Sequence, residues 1–141
     1  MYLLSVNLHI YCSQACAINL GTSVILTGGR NSLTTVSEYN EVGYVKDLPP
    51  LLQGRYAHGC SFYDNEEGTK VATNIKYTVL SVIIQTYLVS GGFTDSAPPR
   101  LSSTELLAET GSVWVFTGEL PSSRNGLRGA NIDNKVLMTG N

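Results

Sequence analysis

The chain has 141 residues and a formal net charge of −2, with 9 basic and 11 acidic side chains and no basic block. This charge pattern argues against a nucleic-acid-binding surface, which needs clustered Lys and Arg. The Gly, Thr, Ser and Val content argues against a disordered tail. The predicted elements, in chain order, are β-strands near 14–19, 23–28, 34–40, 43–48, 57–63, 86–91, 102–108, 112–117, 127–132 and 135–139. The nearest helix candidate, 101–109, has Thr-rich flanks that favour a strand, so the predicted class is all-β.

Residues 1–13 form an N-terminal segment of uncertain role. The following Ala15-Cys16-Ala17 has the A-x-A pattern of a signal-peptidase site, but there is no positively charged region before it. Asn7 and His9 interrupt the apolar stretch, and the tripeptide also aligns with 59–61 as the first strand of a repeat. We therefore expect a strand here, with a secretory signal as the alternative.

Three apolar strand-like runs end in a glycine pair or in Gly-Asn. The pairs are Gly28-Gly29, Gly91-Gly92 and Gly140-Asn141. Glycine suits a strand end that turns at positive φ or passes close to another backbone. The first glycines are 63 and then 49 residues apart, and such recurrence indicates an internal repeat.

Further residues recur in the same order after each of the first two pairs. They are a glutamate within a strand (Glu38, Glu105), an aromatic residue (Tyr44, Trp114), Leu-Pro (48–49, 120–121) and an arginine (Arg55, Arg124), with Tyr39 and Leu106 differing at the position after the glutamate. The ordered set resembles the kelch motif over roughly 14–141. The resemblance implies an incomplete kelch-type β-propeller of four-stranded antiparallel blades.

The predicted blades cover about 14–50, about 56–118 and, in part, about 127–141. The second contains a surplus at about 71–86, an insertion that could form an extra strand or extend the second strand. Closing a propeller takes at least four blades. We therefore expect a fragment, a truncated product or a piece that completes itself by association, and an isolated chain of marginal stability.

The recurring residues also have expected structural roles. Tyr39, Tyr44 and Trp114 lie where blades would stack, and a buried aromatic residue of this kind needs a partner for its polar group. Arg55 and Arg124 follow Leu-Pro in the connections between blades, where a guanidinium can bond several loop carbonyls. These roles belong to the scaffold.

The three cysteines, Cys12, Cys16 and Cys60, match no metal-binding pattern. Their odd number argues against a disulfide framework, so we expect buried, reduced thiols and a cytoplasmic protein. We predict no metal, no cofactor and no membrane contact, since the apolar stretch 77–90 is too short to span a bilayer.

Three segments invite a functional interpretation and have a structural one that we prefer. Residues 28–32 could cradle a phosphate, but they lack the lysine or further glycine of such loops. His58 and Cys60 could form a base and nucleophile, although a packing role for His58 is preferred. Acidic residues 64–68 could bind calcium, but they lack alternating oxygen ligands and favour a solvated turn.

The loops after the glycine pairs are the predicted partner-binding site, because loops on a rigid scaffold often carry recognition. The candidates are Arg30, Asn31, Phe93, Asp95 and Arg100; Arg and aromatic residues are enriched in binding hot spots. The kelch resemblance implies a non-catalytic protein-interaction module, such as a substrate adaptor or cytoskeletal scaffold. The alternatives are a kelch-fold oxidase or sugar isomerase, and a truncated product without function.

Overall fold

The computed structural model describes residues 13–73, 76–108, 111–132 and 135–140, and over these residues it contains strands and no helix. The strands are β1 (Cys16–Asn19), β2 (Ser23–Thr27), β3 (Val36–Asn40), β4 (Gly43–Leu48), β5 (Gly59–Thr73), β6 (Lys76–Ser90), β7 (Ser103–Ala108), β8 (Val115–Glu119), β9 (Arg128–Ile132) and β10 (Lys135–Thr139). They form a first sheet of order β1-β2-β3-β4, a second sheet of order β5-β6-β7-β8, and a C-terminal hairpin of β9 and β10. All neighbouring strands are antiparallel. The predicted all-β class with four-stranded antiparallel sheets is confirmed.

The first two glycine pairs have both of the predicted reasons to be glycine. Gly28 and Gly91 end β2 and β6 with φ values of 58° and 62°, where a side chain would be strained. A Cβ atom on Gly28 would overlap the carbonyl oxygen of Arg55, and one on Gly91 would lie 2.7 Å from that of Arg124. Each glycine pair therefore contacts the segment that follows the last strand of its sheet: Arg55 after β4, and Arg124 after β8.

Those two segments form matching connections. We call residues 49–58, between the first and second sheets, the first junction, and residues 120–127, between the second sheet and the C-terminal hairpin, the second junction. The Gly29 amide donates to the Arg55 carbonyl at 3.0 Å, and the Gly92 amide donates to the Arg124 carbonyl at 2.7 Å. The repeat predicted from sequence is therefore a repeat of backbone contacts.

A second recurring feature precedes the first strand of each unit. Gln14, Ala57 and Gly126 all have positive φ, at 63°, 50° and 63°. The Ala57 amide donates to the Gln14 carbonyl and the Gly126 amide donates to the Ala57 carbonyl, both at 2.8 Å. These bonds join the starts of β1, β5 and β9 in series.

The core lies between the two sheets and beneath the first junction. Its buried apolar side chains include Ile18, Ile25, Val36, Leu51, Val89, Leu107 and Trp114. The Trp114 indole N–H donates to the Pro49 carbonyl at 2.7 Å, so this buried aromatic residue joins the second sheet to the first junction. Tyr44, for which the same role is predicted, is 59% exposed and packs edge-on against Tyr39.

The surplus at 71–86 lengthens both strands of one hairpin. β5 and β6 pair continuously from Gly59 opposite Ser90 to Thr73 opposite Lys76. The predicted turn at 64–68 is wrong, because those residues are part of β5. The β-prone run after residue 76 pairs with their backbone N–H and C=O groups, which makes the longer hairpin possible.

The register of the sheets corrects the alignment of the two glutamates. Glu38 pairs with Ile25, three residues before its glycine pair, whereas Glu105 pairs with Val89, two residues before the next pair. The residue equivalent to Glu105 is thus Ser37. A shift of one residue sends a side chain to the opposite face of a sheet, so the two glutamates have different surroundings.

The Leu-Pro alignment is corrected in the same way. The Leu51 amide donates to the Thr34 carbonyl at 2.9 Å, and the Leu120 amide donates to the Ser102 carbonyl at 2.8 Å. Leu51, and not Leu48, is therefore the structural counterpart of Leu120. Pro49 instead accepts the Trp114 bond described above.

Residues 1–12 and Asn141 lie outside the described residues, and so do Cys12, His9 and most of the proposed signal segment. Over the part that is described, no helix has the length and apolar character needed to cross a membrane.

Candidate functional site

A ladder of two exposed arginine side chains and two half-buried aromatic side chains lies on the loops that follow the glycine pairs and on the first junction. Its four members are Arg30, from the β2–β3 loop; Tyr56, from the first junction; and Phe93 and Arg100, from the β6–β7 loop. The Tyr56 and Phe93 backbones exchange two hydrogen bonds, at 2.9 and 2.8 Å. Phe93 also forms an isolated antiparallel β-bridge with Arg100. Backbone pairing thus fixes the positions of the two rings.

The side chains continue this arrangement as a stack. The Tyr56 and Phe93 rings lie 5.5 Å apart at an interplanar angle of 26°. The Arg30 guanidinium carbon is 5.8 Å from the Tyr56 ring centre, and that of Arg100 is 5.9 Å from the Phe93 ring centre. Each exposed cation–π contact is worth roughly 0.5–1 kcal/mol, which is enough to bias the long arginine side chains toward the rings.

The ladder is positively charged at both ends. Arg30 and Arg100 are exposed, and neither takes part in an ion pair with another described residue. A guanidinium next to a ring still presents N–H donors to a carboxylate. The stack therefore offers two anion-binding groups separated by apolar ring surface.

An open groove adjoins the Arg100 end. Its volume is about 600 Å³, and its lining includes Gln53, Thr94, Arg100, Phe116 and Glu119. Phe116 is 56% exposed. The groove could accept an apolar side chain next to a group bound by the ladder.

Sequence reasoning found three of the four ladder residues. Arg30, Phe93 and Arg100 were candidates and are brought together here. Asn31 is exposed beside Arg30, and Asp95 is exposed in the loop of Phe93. Tyr56 was missed, although it directly follows the repeat arginine Arg55 within the first junction.

Behind the ladder, the first junction contains a fully buried ion pair. The Arg55 guanidinium contacts the Glu105 carboxylate at 2.6 Å, and both side chains have 0% exposure. Arg55 also donates to the carbonyls of Gly91, at 2.9 Å, and of Ser103, at 3.0 Å. The prediction that this arginine bonds loop carbonyls is confirmed, whereas its carboxylate partner was not foreseen.

The carboxylate of Glu105 is satisfied from the other side by backbone amides. Leu52 donates to it at 2.7 Å and Gln53 at 3.1 Å. Burial lowers the pKa of Arg55, and the charge and hydrogen bond of Glu105 act in the opposite direction. Arginine stays protonated in proteins, so these groups form a structural ion pair across the sheet boundary.

His58 is the last residue of the same junction, and its side chain is buried. Its Nε2 lies 2.8 Å from the Thr27 hydroxyl, and its Nδ1 has no hydrogen-bond partner among the described residues. Burial, reinforced by the charge of Arg55, lowers the pKa of His58 to about 3. The ring is therefore neutral at physiological pH and contacts Gly28, a packing role.

The cysteines contradict the prediction of reduced thiols. Cys16 of β1 and Cys60 of β5 form a disulfide. The first strands of the two sheets lie side by side there, which brings residues distant in sequence together. Because the Cys60 sulfur is bonded to Cys16, it is not a free nucleophile for His58.

The phosphate-loop interpretation also lacks the required geometry. In the 28–32 loop the Gly28 amide donates to the Thr35 carbonyl at 2.8 Å, and the Gly29 amide donates to the Arg55 carbonyl at 3.0 Å. These two amides are therefore not free to bind an anion. Within the described ranges, His, Cys, Asp and Glu side chains form no group of three or more that could hold a metal ion.

The fold and site together define an all-β protein of repeated four-stranded antiparallel sheets that presents an arginine–aromatic ladder on its loop face. A scan against models of known protein families and a search of curated proteins return no match to this chain.

Proposed function

We propose that this chain is a non-catalytic protein–protein interaction module of the kelch-repeat type, with its sheets as blades of an incomplete β-propeller. The arginine–aromatic ladder carries the proposal, since it places two exposed guanidinium groups on a stacked pair of rings. Kelch membership and the propeller are supported by the recurring glycine pairs and the matching junctions. A role as substrate adaptor or cytoskeletal scaffold rests on analogy of fold.

The ligand that fits the ladder is a protein segment with carboxylate side chains. Guanidinium groups bind carboxylates through paired N–H donors. The ring pair offers an apolar surface between the two charges, and the groove beside Arg100 offers space for one further side chain. Carboxylates next to apolar side chains occur in proteins and not in nucleic acids, so the proposed partner is another protein.

A direct test selects ligands for the ladder from a phage-displayed library of random peptides. We expect the selected peptides to be enriched in Asp and Glu. Their affinity should fall by about tenfold or more for Arg30→Glu and for Arg100→Glu, because each replaces an attraction by a repulsion. Binding should also weaken with salt.

The matched control is Arg128→Glu, which makes the same charge change at an exposed arginine on β9. It should leave peptide affinity within about twofold of the original. Selected peptides without acidic enrichment, or equal losses in all three variants, would contradict the proposed site.

The cytoplasmic location remains a prediction. Its argument from reduced thiols no longer holds, because Cys16 and Cys60 are joined and such bonds persist mainly in oxidising compartments.

A further inference from the structure

The groove beside Arg100 lies between two internal parts of the chain. Gln53 of the first junction forms one side of it, and the β6–β7 loop and β8 form the other. Glu105 of β7 pairs with Phe116 of β8, so these two side chains share one face of the second sheet. Glu105 accepts hydrogen bonds from two amides of the first junction. The face that carries Phe116 is therefore the one turned toward that junction.

The groove contains apolar surface that the fold leaves accessible. The Phe116 side chain is 56% exposed, and Ala97 and Pro98, which also line the groove, are exposed as well. A concave site with an aromatic ring in its lining can remove most of an incoming apolar side chain from water. The groove is therefore suited to one large apolar side chain of a ligand.

Two charged side chains of opposite sign also line the groove. They are Arg100, which ends the ladder, and Glu119, the last residue of β8. Both are exposed, and neither forms an ion pair with another residue of the described ranges. Glu119 accepts one long hydrogen bond from the Ser102 hydroxyl, at 3.5 Å. Because the two charges do not neutralise each other, each can attract a ligand group of the opposite charge.

The register of β7 and β8 gives the order of these groups along the groove. Glu119 is opposite Ser103, and Phe116 is opposite Glu105. Arg100 precedes Ser103 by three residues in the chain. Going from the ladder along β7, the order is therefore the guanidinium, then the Glu119 carboxylate and then the Phe116 ring. The last two are separated by two residues of β7, which is about 7 Å along a strand.

We propose that the ladder and the groove together bind an extended protein segment with an acidic, a basic and a large apolar residue, in that order from the ladder outward. The acidic side chain binds Arg100, the basic one binds Glu119, and the apolar one packs on the Phe116 ring. The basic and apolar residues are two positions apart, since an extended ligand advances by about 3.3 Å per residue. This inference rests on the proposed function, to which it adds two residues that determine specificity.

Glu119 makes the site selective among acidic segments. A segment that is acidic throughout is attracted by Arg100 and repelled by Glu119, whereas a segment with a basic residue at the second position is attracted by both. Specificity of this kind needs a repulsive contact as well as attractive ones. The site therefore discriminates by the order of charges and not by net negative charge alone.

The experiment uses the full chain and fluorescein-labelled peptides, with binding measured by fluorescence anisotropy. The parent peptide contains Glu-Thr-Thr-Lys-Thr-Phe, in which threonine favours an extended backbone. The reversed sequence is included, because the register fixes the order of the three groups and not the chain direction of the ligand. We expect one of the two to bind. In that peptide, exchanging Lys for Glu or Phe for Thr should each lower the affinity by about fivefold or more.

Variants of the protein identify which residue recognises each position. Glu119→Lys should weaken binding of the parent peptide by about tenfold and should strengthen binding of the peptide with Glu in place of Lys. Phe116→Ser should bind the Phe and Thr peptides alike. The matched controls are Glu41→Lys and Tyr44→Ser, which change an exposed glutamate and an exposed aromatic residue of the first sheet and its β3–β4 turn. They should leave every affinity within about twofold, and circular dichroism checks that each variant is folded.

The proposal is overturned if the Lys and Glu peptides bind alike, if Glu119→Lys does not reverse the preference, or if the control variants cause the same changes. Failure of both the parent and the reversed peptide to bind overturns it as well. The selection with Arg30→Glu and Arg100→Glu is a separate measurement. Acidic peptides selected there, together with no effect of Glu119 or Phe116, would leave the ladder as the binding site and exclude the groove.

Discussion

The first and second junctions share the backbone contacts of their arginines with the glycine pairs, but the two arginine side chains have very different surroundings. Arg55 is wholly buried against Glu105, whereas the Arg124 side chain is exposed and donates to the Gly140 carbonyl at 3.4 Å. The difference lies in the neighbouring strand. β7 covers the Arg55 side chain and supplies its bonds to Ser103 and Glu105, whereas no described strand covers Arg124 in this way. The repeat thus sets where an arginine lies, and the neighbouring strand determines whether it stabilises the fold.

The largest expected effect comes from removing one charge at the first junction. Arg55→Met should lower the free energy of unfolding by about 3–5 kcal/mol, because it leaves the buried Glu105 carboxylate without its partner. Arg124→Met should change it by less than about 0.5 kcal/mol, since that side chain is exposed. Urea unfolding followed by tryptophan fluorescence measures both.

A double variant separates the cost of an unpaired charge from the worth of the pair. Arg55→Met with Glu105→Leu should recover a large part of the lost stability, because no buried charge remains. Similar losses at the two junctions would show that the burial difference is not what matters.

The junctions also differ beneath their glycines. His58 lies against Gly28 at the first junction, while Leu127 lies against Gly91 at the second. The pKa of His58 is lowered to about 3 in the folded protein, compared with about 6.5 in an unfolded chain. Between these values the unfolded state binds a proton that the folded state does not. Stability should therefore be complete above pH 6.5 and fall as the pH is lowered toward 3, by at most about 1.4 kcal/mol per pH unit.

His58→Leu makes the first junction resemble the second, where Leu127 has this position. It also removes the imidazole that binds a proton in the unfolded state. Urea unfolding at pH 7.5 and at pH 5.5 should show a smaller pH dependence in the variant than in the original chain. An unchanged dependence would assign the effect to carboxylates elsewhere in the protein.

The sequence was sufficient to locate most strands and both glycine pairs. Alternating or continuous apolar runs and strand-ending glycines are local patterns, and the predicted bounds agree with the observed strands to within a few residues outside the long hairpin. Three ladder residues could also be chosen, because Arg and aromatic residues in loops are local features.

What sequence did not reveal depends on register and on distant pairing. The alignment of Glu38 with Glu105 followed the order of the recurring residues, but a difference of one residue between the β2–β3 and β6–β7 registers placed the two side chains on opposite faces. The Cys16–Cys60 bond joins strands from different sheets. Tyr56 gains its role only by pairing with Phe93, a contact that no local pattern encodes.

The smallest expected effect concerns the positive-φ residue before each first strand. Ala57 has φ at 50° and Gly126 has φ at 63°, and these positions are equivalent in the two junctions. A left-handed conformation costs a side-chain-bearing residue about 1–2 kcal/mol, while glycine loses about 0.5–1 kcal/mol through its unfolded-state freedom. Ala57→Gly should therefore raise the free energy of unfolding by about 0.5 kcal/mol, and Gly126→Ala, where a Cβ atom would meet no other atom within 4 Å, should lower it by a similar amount. Thermal unfolding of the two variants tests whether strain alone governs this position. If the free energy of unfolding changes in the same direction in both variants, backbone strain does not govern the stability of this position.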